Sequence, residues 1–289
     1  MLESLINPKK AERRPWELFF IGLLYTIVAI FLANWLFAGN PVLGGYISMV
    51  IVFFVVMFSI PFMFYTIRME EEKDIKLRGE RTLLREHGKA LSAFMFLFLG
   101  FIVGFSAFFV LAPAQASQNF QAQIETYCQI NSYYLDQFNS CVESSISGKA
   151  GIQSQAEFIA KEFKLIFLNN INVMLLSVLF SFFFGAGAIF ILAWNASVIG
   201  VAIGIFAKSP LGLPYGFFRF MIHGIPEILA YFVAGLAGGI IGVAVIRHHF
   251  EEEGFKRILK DSAVLLIIAV ALLFIGTFIE IFVTPIFFA

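Results

Sequence analysis

Seven long apolar runs restrict the possible folds of this chain more than any other feature of its sequence. Each run is long enough for an α-helix to cross a hydrocarbon core about 30 Å thick. Because the runs are continuously apolar and do not alternate with polar residues, they exclude a membrane-spanning β-barrel. The sequence therefore predicts an all-α fold, a polytopic transmembrane helical bundle with about seven membrane segments. The runs cover residues 16–37, 42–67, 90–112, 165–193, 195–213, 216–246 and 262–288.

The composition leads to the same class of protein. Hydrophobic residues make up 60% of the 289 residues and charged residues 14%, which is too apolar for a soluble domain. The net charge is zero, so we expect membrane lipids and no nucleic acid as partners. The first run lies between Trp16 and Trp35 and has no small-residue cleavage site, so we interpret it as a retained helix rather than a signal peptide.

The fifth run is the short or broken one. Its apolar part covers residues 196–207, and Lys208, Pro210 and Pro214 then interrupt it. Both a tilted or half-length crossing and a re-entrant segment fit this pattern. A re-entrant segment would move the basic residues within 247–260 to the other side of the membrane, so the charge distribution favours a full crossing.

Lys and Arg residues are unevenly distributed among the connections. Fifteen of the 20 precede the first run, separate the second from the third, or follow the sixth. The positive-inside rule then predicts a cytoplasmic N-terminus, with residues 68–89 and 247–261 also in the cytoplasm. We expect a multi-pass protein of the cell membrane with an N-terminal three-helix region (1–112), an extracytoplasmic domain of loops and helices (113–164) and a C-terminal membrane core (165–289).

The connector 68–89 alternates acidic and basic residues around a few Leu and Ile residues. This pattern is typical of a solvated surface helix or helical hairpin, interrupted at Gly79. The same charges could also form a docking site for a cytoplasmic protein. The sequence leaves both interpretations open.

Both cysteines of the chain, Cys128 and Cys141, lie in the predicted extracytoplasmic domain. Two cysteines about a dozen residues apart on the oxidising side of a membrane favour a disulfide, which contributes about 3 kcal/mol if unstrained. Two unpaired thiols are the alternative. Two sulfur atoms without a nearby histidine do not complete a zinc site, and we expect no metal.

His223 and Glu227 are the most specific polar pair inside a predicted membrane segment. They are four residues apart, so they project from one helix face and can form a hydrogen bond or an ion pair. Pro226 lies between them and frees the backbone carbonyl of Ile222, which opens the helix locally. Because ionisable groups are costly inside a bilayer, the pair is either a proton, ion or substrate site or a structural lock between helices.

Four asparagines complete the polar residues of the predicted core. Asn169, Asn170 and Asn172 stand at the start of the fourth run, at a depth comparable to that of the His–Glu pair. We expect this cluster and that pair to converge within hydrogen-bonding distance, directly or through one water. Asn195 lies at the junction of the fourth and fifth runs, where we expect it to be the N-cap of the fifth helix.

Small residues recur at a spacing of four within the predicted helices, which lets helix backbones approach closely. Packing within one chain and homodimerisation are both compatible with this pattern. The residues are Gly100 with Gly104, Gly200 with Gly204, Gly235 with Gly239, and Gly238 with Gly242, together with Gly185 and Gly187 at a small-residue break.

Motifs of known enzyme classes are absent or incomplete. The string from Glu252 to Arg257 fits a carboxylate pattern of membrane proteases, but no histidine follows His249 to complete such a site. The sequence has no HExxH, GxSxG or GxxxxGK[ST] motif. We therefore expect no enzymatic activity and no cofactor.

Several of these rare polar residues occur in an order that resembles a known family. An Asn pair opens a membrane helix, an Asn followed by a small residue joins two helices, and a His-Gly-x-x-Glu motif opens the next helix. The residues that carry this order are Asn169, Asn170, Asn195, His223, Gly224 and Glu227. Over residues 167–242 the chain resembles the stage II sporulation protein M family, with Ala196 and Ile222 standing where that family has Gly and Pro.

The resemblance implies a shared membrane core and, in spore-forming organisms, a membrane anchor for a complex that remodels the cell wall. It favours a non-enzymatic scaffold that binds partner proteins, alone or as a homo-oligomer. The polar residues support a different class, a transporter or channel-like protein with a buried proton or substrate site at Asn170, His223 and Glu227. A water-filled cavity that reaches His223 and Glu227 would favour the transporter, because a scaffold needs no access path.

Overall fold

The computed structural model describes residues 8–40, 42–76, 83–131, 135–146, 159–184, 187–246 and 253–288. Helices account for almost all of these residues, and the described part of the chain contains no strand. The α-helices are α1 (Pro8–Arg13), α2 (Glu17–Phe37), α3 (Ile47–Lys76), α4 (Leu83–Leu111), α5 (Pro113–Asn119), α6 (Gln121–Asn131), α7 (Leu135–Ile146), α8 (Ile159–Phe184), α9 (Ala188–Ala207), α10 (Leu213–Ile246), α11 (Glu253–Phe278) and α12 (Thr284–Phe287).

Seven helical spans in the described residues are long and apolar enough to cross a membrane. They belong to α2, α3, α4, α8, α9, α10 and the last span, in which α11 and α12 are joined by a π-helical turn at Ile279–Val283. The predicted all-α polytopic bundle with seven membrane segments is therefore confirmed. The chain is a multi-pass membrane protein.

The boundary between the fourth and fifth membrane helices differs from the prediction. We expected a break at Asn195, but α8 ends at Phe184 and α9 begins at Ala188. The break falls in the small-residue segment because glycine disfavours helix, and Gly187 is the residue before α9. Gly185 lies outside the described residues. As a result, α9 has 20 residues and is a full-length membrane helix rather than a short one.

Asn195 is consequently not an N-cap, and that prediction is wrong. It lies inside α9, where its amide nitrogen donates a hydrogen bond of 2.7 Å to the carbonyl oxygen of Ile191, one turn earlier. A bond of this kind satisfies a polar side chain in mid-helix without a partner from another element. The helix therefore continues through Asn195.

Glycines set the close helix crossings of the bundle. A Cβ atom added at Gly22 or Gly100 would collide with backbone atoms of the other helix, so α2 and α4 touch through their main chains. Added Cβ atoms at Gly200 and Gly204 would lie 2.6 Å from Phe105 Cβ and 2.5 Å from Phe109 Cδ1, where α9 packs on α4. A Cβ at Gly104 would lie 2.8 Å from Thr26 Cβ of α2. In each case the glycine leaves room for a neighbour from the same chain.

The glycines of α10 have the same role against other helices. A Cβ at Gly238 would lie 2.5 Å from the carbonyl oxygen of Val178 in α8, and one at Gly242 would collide with that of Phe182. A Cβ at Gly235 would come within 3.0 Å of Ala188 Cβ in α9. Added at Gly239, it would meet Ile67 of α3 and Ser181 of α8, both at 2.8 Å. Helix α10 is thus the central helix of the C-terminal bundle.

The helices α5, α6 and α7 form a cap, residues 113–131 and 135–146, at one end of the bundle. Phe120 is fully buried, and its ring centroid lies 5.9 to 6.1 Å from those of three phenylalanines near the end of α4. Gln123 donates a hydrogen bond of 3.3 Å to the carbonyl oxygen of Ser48 at the start of α3. The three rings around Phe120 belong to Phe105, Phe108 and Phe109.

A disulfide joins Cys128 of α6 to Cys141 of α7, which confirms the predicted pairing. Ser145 of α7 approaches the two sulfur atoms, with its hydroxyl oxygen 3.8 Å from Cys128 Sγ and 4.0 Å from Cys141 Sγ. Because the bond closes a loop of 13 residues between two helices, it restricts the unfolded chain and fixes the second helix of the cap to the third.

We expect the purified protein to resist alkylation unless it is first reduced. Without reductant its intact mass should be unchanged by a maleimide, and after denaturation and reduction it should carry two adducts. Replacing both Cys128 and Cys141 by Ser should lower the free energy of unfolding by about 3 kcal/mol, because the loop is no longer closed. Two adducts on unreduced protein would contradict the disulfide.

A charged cluster lies at the end of the bundle opposite the cap. Lys73 Nζ donates hydrogen bonds to Glu12 Oε1 (2.7 Å) and Glu70 Oε1 (2.5 Å), and the other Glu70 oxygen is 2.6 Å from His87 Nδ1. Glu70, Glu71 and His87 are fully buried. Burial raises the pKa of Glu12 above its ordinary value. The cluster joins α1, α3 and α4.

This cluster changes the interpretation of the connector 68–89. One of the two interpretations was a solvated surface helix or hairpin, and α3 and α4 do extend into the connector as helices. However, the two parts of the connector that adjoin the membrane segments are buried. There α3 and α4 face each other, and Glu70 of α3 contacts His87 of α4. Gly79 and the other residues at 77–82 lie outside the described residues.

Candidate functional site

A polar triad lies between α8 and α10, within the membrane segments and towards the cap end. Asn170 of α8 donates a hydrogen bond of 2.8 Å from Nδ2 to Glu227 Oε1 of α10. Tyr231, also in α10, donates its hydroxyl proton to Asn170 Oδ1 at 2.8 Å. Asn170 is 7% exposed and Tyr231 4%. The Asn170 amide therefore donates a hydrogen bond to the carboxyl group and accepts one from the phenol.

The spacing of residues in α10 explains how the triad forms. His223, Glu227 and Tyr231 follow one another at intervals of four, so they lie along one face of the helix. Pro226 lies within this helix, which continues through it. The helix therefore stays regular enough to present Glu227 and Tyr231 to the same residue of α8.

Gly276 of α11 makes room for the Glu227 side chain. A Cβ atom at Gly276 would lie 2.5 Å from Glu227 Cγ and 3.2 Å from its Oε1. The backbone of α11 thus lies directly against the Glu227 side chain. Glu280, one turn further along the same span, is close enough to interact electrostatically with Glu227 and Tyr231. Three helices, α8, α10 and α11, therefore enclose one carboxyl group.

His223 does not form the predicted pair with Glu227. Its Nδ1 lies 3.2 Å from the hydroxyl oxygen of Thr284, the first residue of α12. The Thr284 hydroxyl oxygen also lies 3.2 Å from the carbonyl oxygen of Ile279, to which it can donate its proton. The two residues one turn apart in α10 therefore bind different elements. Glu227 binds α8, and His223 binds the end of the last span.

The π-helical turn Ile279–Val283 is the local irregularity of this site. It precedes Thr284 and Pro285, and it places Glu280 and Thr284 on the side of the last span that faces α10. Single π-helical turns are frequent at functional sites. The short or broken helix predicted for the fifth membrane segment is not found, and the last span stays helical through its π-helical turn.

Arg219 continues the polar face of α10 towards the cap. Its guanidinium carbon lies 4.7 Å from the ring centroid of Phe206 in α9, and it donates a hydrogen bond to the carbonyl oxygen of Phe288. Arg219 stands four residues before His223, so the polar face of α10 carries a cation near the cap and a carboxyl group further from it.

The other predicted asparagines do not join the triad. Asn169 and Asn172 are exposed on the outer surface of α8, on the side away from α10. Asn195 binds within α9, as described above. Of the expected cluster, the structure therefore brings Asn170 and Glu227 together, and it places His223 beside them on the same helix face.

Four residues of this site were not among the predicted ones, namely Tyr231, Gly276, Glu280 and Thr284. Tyr231 could have been found from its spacing of four from Glu227. Glu280 is the one carboxyl residue between positions 262 and 288, which was a usable signal. Gly276 and Thr284 carry no comparable signal, because their role depends on which helix packs against α10.

This arrangement can act chemically in two ways. A carboxyl group that accepts a hydrogen bond from α8 and packs against α11 can hold three helices in one packing, as a structural lock does. Two carboxyl groups and a phenol beside an irregular helix can also exchange protons. A cavity of about 150 Å³ lies between the cap and the ends of α4 and α9, and its walls include neither His223 nor Glu227.

Comparison with known proteins gives two matches and one negative result. The family model described as Stage II sporulation protein M matches residues 92–285, more than half of the chain and all of the polar triad. A protein of Methanocaldococcus jannaschii, itself described as uncharacterized, is 29% identical over 126 residues, which cover 43% of this chain and 71% of that protein. No solved structure matches the chain.

Proposed function

Because the chain belongs to the stage II sporulation protein M family, we propose that it is a non-enzymatic membrane scaffold that holds partner proteins in a multi-protein complex. The cap is the surface that binds these partners, and the bundle anchors it. In this proposal the exposed charged residues of the connector 68–89, such as Arg68 and Lys89, form a second contact surface. The N-terminus is cytoplasmic in this proposal, and the cap lies on the extracytoplasmic side of the cell membrane, as the distribution of Lys and Arg favours.

The observation that carries this proposal is the attachment of the cap to the bundle. Phe120 is fully buried among phenylalanines of α4, Gln123 binds the start of α3, and the disulfide closes the cap on itself. A cap that moved during a transport cycle would need weak and reversible contacts at this place. A cap with a buried aromatic anchor and a covalent link instead presents a fixed surface, as a scaffold requires.

The surface of the cap offers a contact for a protein. Ile130 near the end of α6 is 56% exposed, and polar residues such as Gln121 and Glu125 are exposed on the same helix. An exposed aliphatic side chain with a polar surrounding is common at protein interfaces. We therefore take the end of α6 as the central part of the binding surface.

The polar triad supports the scaffold through rigidity. Asn170, Glu227 and Tyr231 satisfy one another across two helices, and Gly276 brings a third helix against the carboxyl group. Such a network favours one packing of the helices over others. In this interpretation the family's polar residues maintain the shape of the anchor.

A transporter or channel-like function is the second candidate, and one observation favours it. Glu227 packs against Gly276, which lies one turn before Glu280 of the π-helical turn in the same membrane-spanning segment. Ionisable residues next to irregular helix are typical of sites for protons or coupling ions in transporters. This candidate requires a path for water to Glu227.

We expect loss of partner binding when the exposed surface of the cap is changed. The affinity-tagged protein should retain a defined, stoichiometric protein from native membranes, and Ile130→Asp should reduce its recovery at least tenfold, because a charge replaces the apolar contact. Gln118→Asp, on the exposed surface of α5, is the matched control and should recover as much partner as wild type. Quantitative mass spectrometry of the purified complexes measures this.

The same experiment distinguishes the two candidates when Glu227→Gln is included. For a scaffold, Glu227→Gln retains the partner, because the amide preserves the shape of the triad. Equal recovery by Ile130→Asp and Gln118→Asp would contradict the assignment of the cap as the binding surface.

A further inference from the structure

The outer surface of α8 carries a seven-residue repeat of side chains that no other helix of the described chain covers. We propose that this surface, the α8 face, pairs with the α8 face of a second copy of the chain within the membrane. The α8 face consists of Leu165, Leu168, Asn169, Asn172, Leu175, Leu176, Leu179 and Phe183, all of which are exposed. The inference is independent of whether the protein is a scaffold or a transporter.

The residues of the α8 face are spaced as in a coiled coil. Leu165, Asn172 and Leu179 recur every seven residues, and Leu168 and Leu175 do the same three positions later. This is the heptad pattern in which two helices interlock their side chains along one seam. The opposite side of α8 packs on α10 through other residues, among them Asn170 and Val178. The repeat is therefore not used inside the chain.

Helix α8 is the least covered of the membrane segments. In its most apolar stretch 22% of the residues are buried, against 33% in the last span and more in the other five. The exposed residues of the other membrane helices are mostly apolar, and lipid covers apolar side chains adequately. The exposed row of α2, for example, consists of Phe20, Leu24, Ile27 and Phe31.

The two asparagines make the α8 face different from a lipid-facing surface. Asn169 and Asn172 lie six and nine residues after Phe163, the start of the candidate membrane span, which places them about 9 and 14 Å along it. At that depth an exposed amide has neither water nor a partner in lipid, which is unfavourable. Amide side chains of this kind hydrogen-bond across helices and draw them together in membranes.

A second copy of the chain is the partner that fits this surface. An amide both donates and accepts, so Asn172 of one copy can bind Asn172 of the other. Two copies in one membrane have the same orientation, so their α8 helices run parallel and the asparagines meet at the same depth. A single asparagine at such a core position fixes register and the number of helices in parallel coiled coils. The structure thus points to a symmetric dimer with its axis along the membrane normal.

Cysteine cross-linking of the purified, reconstituted protein tests the proposal. Both native cysteines are joined in the disulfide, so Asn172→Cys introduces the one free thiol. A short bifunctional thiol reagent should convert most of this variant into covalent dimers. The matched control is Ile267→Cys on α11, which is 69% exposed to lipid and should stay monomeric. Equal cross-linking of the two variants would show random collision and overturn the proposal.

A second measurement does not depend on an introduced thiol. Resonance energy transfer between labelled copies, followed as the protein is diluted with lipid, gives the dissociation constant of the dimer. Asn172→Ala should raise this constant about tenfold, which corresponds to about 1.4 kcal/mol, and Asn172→Gln should recover part of the loss. A wild-type protein that stays monomeric at every dilution would mean that lipid or another protein covers the α8 face, and it would overturn the proposal.

Discussion

Replacing Glu227 by alanine is expected to abolish recovery of folded protein in detergent. The substitution removes the acceptor of the Asn170 amide, which is 7% exposed, and leaves a cavity beside Gly276. Stranding a buried polar group costs about 1–3 kcal/mol, and the cavity adds to this, so we expect a loss of about 3 kcal/mol or more. That is a large share of the stability of a typical domain.

Glu227→Gln separates the loss of the hydrogen bond from the loss of the ionisable group. The glutamine retains an oxygen that can accept the hydrogen bond from Asn170. The melting temperature of the variant should therefore stay close to that of the wild-type protein. Glu125→Ala on the exposed surface of α6 is the control for removal of a carboxyl group and should have no measurable effect. Size-exclusion chromatography and thermal unfolding in detergent measure all three variants.

The outcome also distinguishes the proposed functions. If Glu227→Ala folds as well as wild type, the triad is not a structural lock, and the scaffold loses this support. In that case the transporter predicts that Glu227→Gln stops ion or solute uptake by proteoliposomes. A different result is that Glu227→Ala fails to fold while Glu227→Gln binds as much partner protein as wild type. The carboxyl group then acts by holding α8, α10 and α11 together.

Replacing Gly100 by leucine is expected to prevent assembly of the N-terminal helices. A Cβ atom at this position would lie 2.8 Å from the backbone nitrogen of Leu23 and would collide with the carbonyl oxygen of Phe19. Backbone atoms cannot move aside as a side chain can, so α2 and α4 must separate. Overpacking of a well-packed core costs about 1–3 kcal/mol even where side chains relax, and here the whole crossing is lost.

The same helix provides a matched control for this prediction. A Cβ atom at Gly88 of α4 would have no atom within 4 Å, so Gly88→Ala should leave the fold intact. It should even add about 0.5–1 kcal/mol, because alanine is the better helix former. Membrane levels of folded protein and thermal unfolding should therefore change in opposite directions for the two substitutions. A Gly100→Leu protein with normal stability would show that the close crossing of α2 and α4 is wrong.

Much of the fold could be predicted because membrane solvation acts on local sequence. Seven apolar runs give seven helices, and glycines at intervals of four give close crossings, as at Gly238 and Gly242. The disulfide followed from two cysteines in one domain outside the membrane. One boundary was misplaced because Asn195 resembles a cap residue, whereas its amide binds the preceding turn of the same helix.

The candidate site was harder to predict because its contacts join segments far apart in the chain. Spacing showed that His223 and Glu227 share a helix face, but it could not show that Thr284 and Asn170 would be their partners. The charged cluster was missed for a related reason. A run of alternating charges resembles a solvated surface, and only the packing of α3 against α4 shows that Glu70 and His87 are buried.

That charged cluster also limits how the protein adapts to membranes of different thickness. Lys73 binds Glu12 and Glu70, and Glu70 binds His87, so α1, α3 and α4 are held at one relative height. Helices tied in this way cannot slide past one another when the bilayer thins or thickens. They must tilt together, or the lipid must deform around them. The last membrane span is held in turn to α10, through the contact of Gly276 with Glu227 and the hydrogen bond between His223 and Thr284. It therefore tilts together with α10 when the hydrophobic thickness of the bilayer changes.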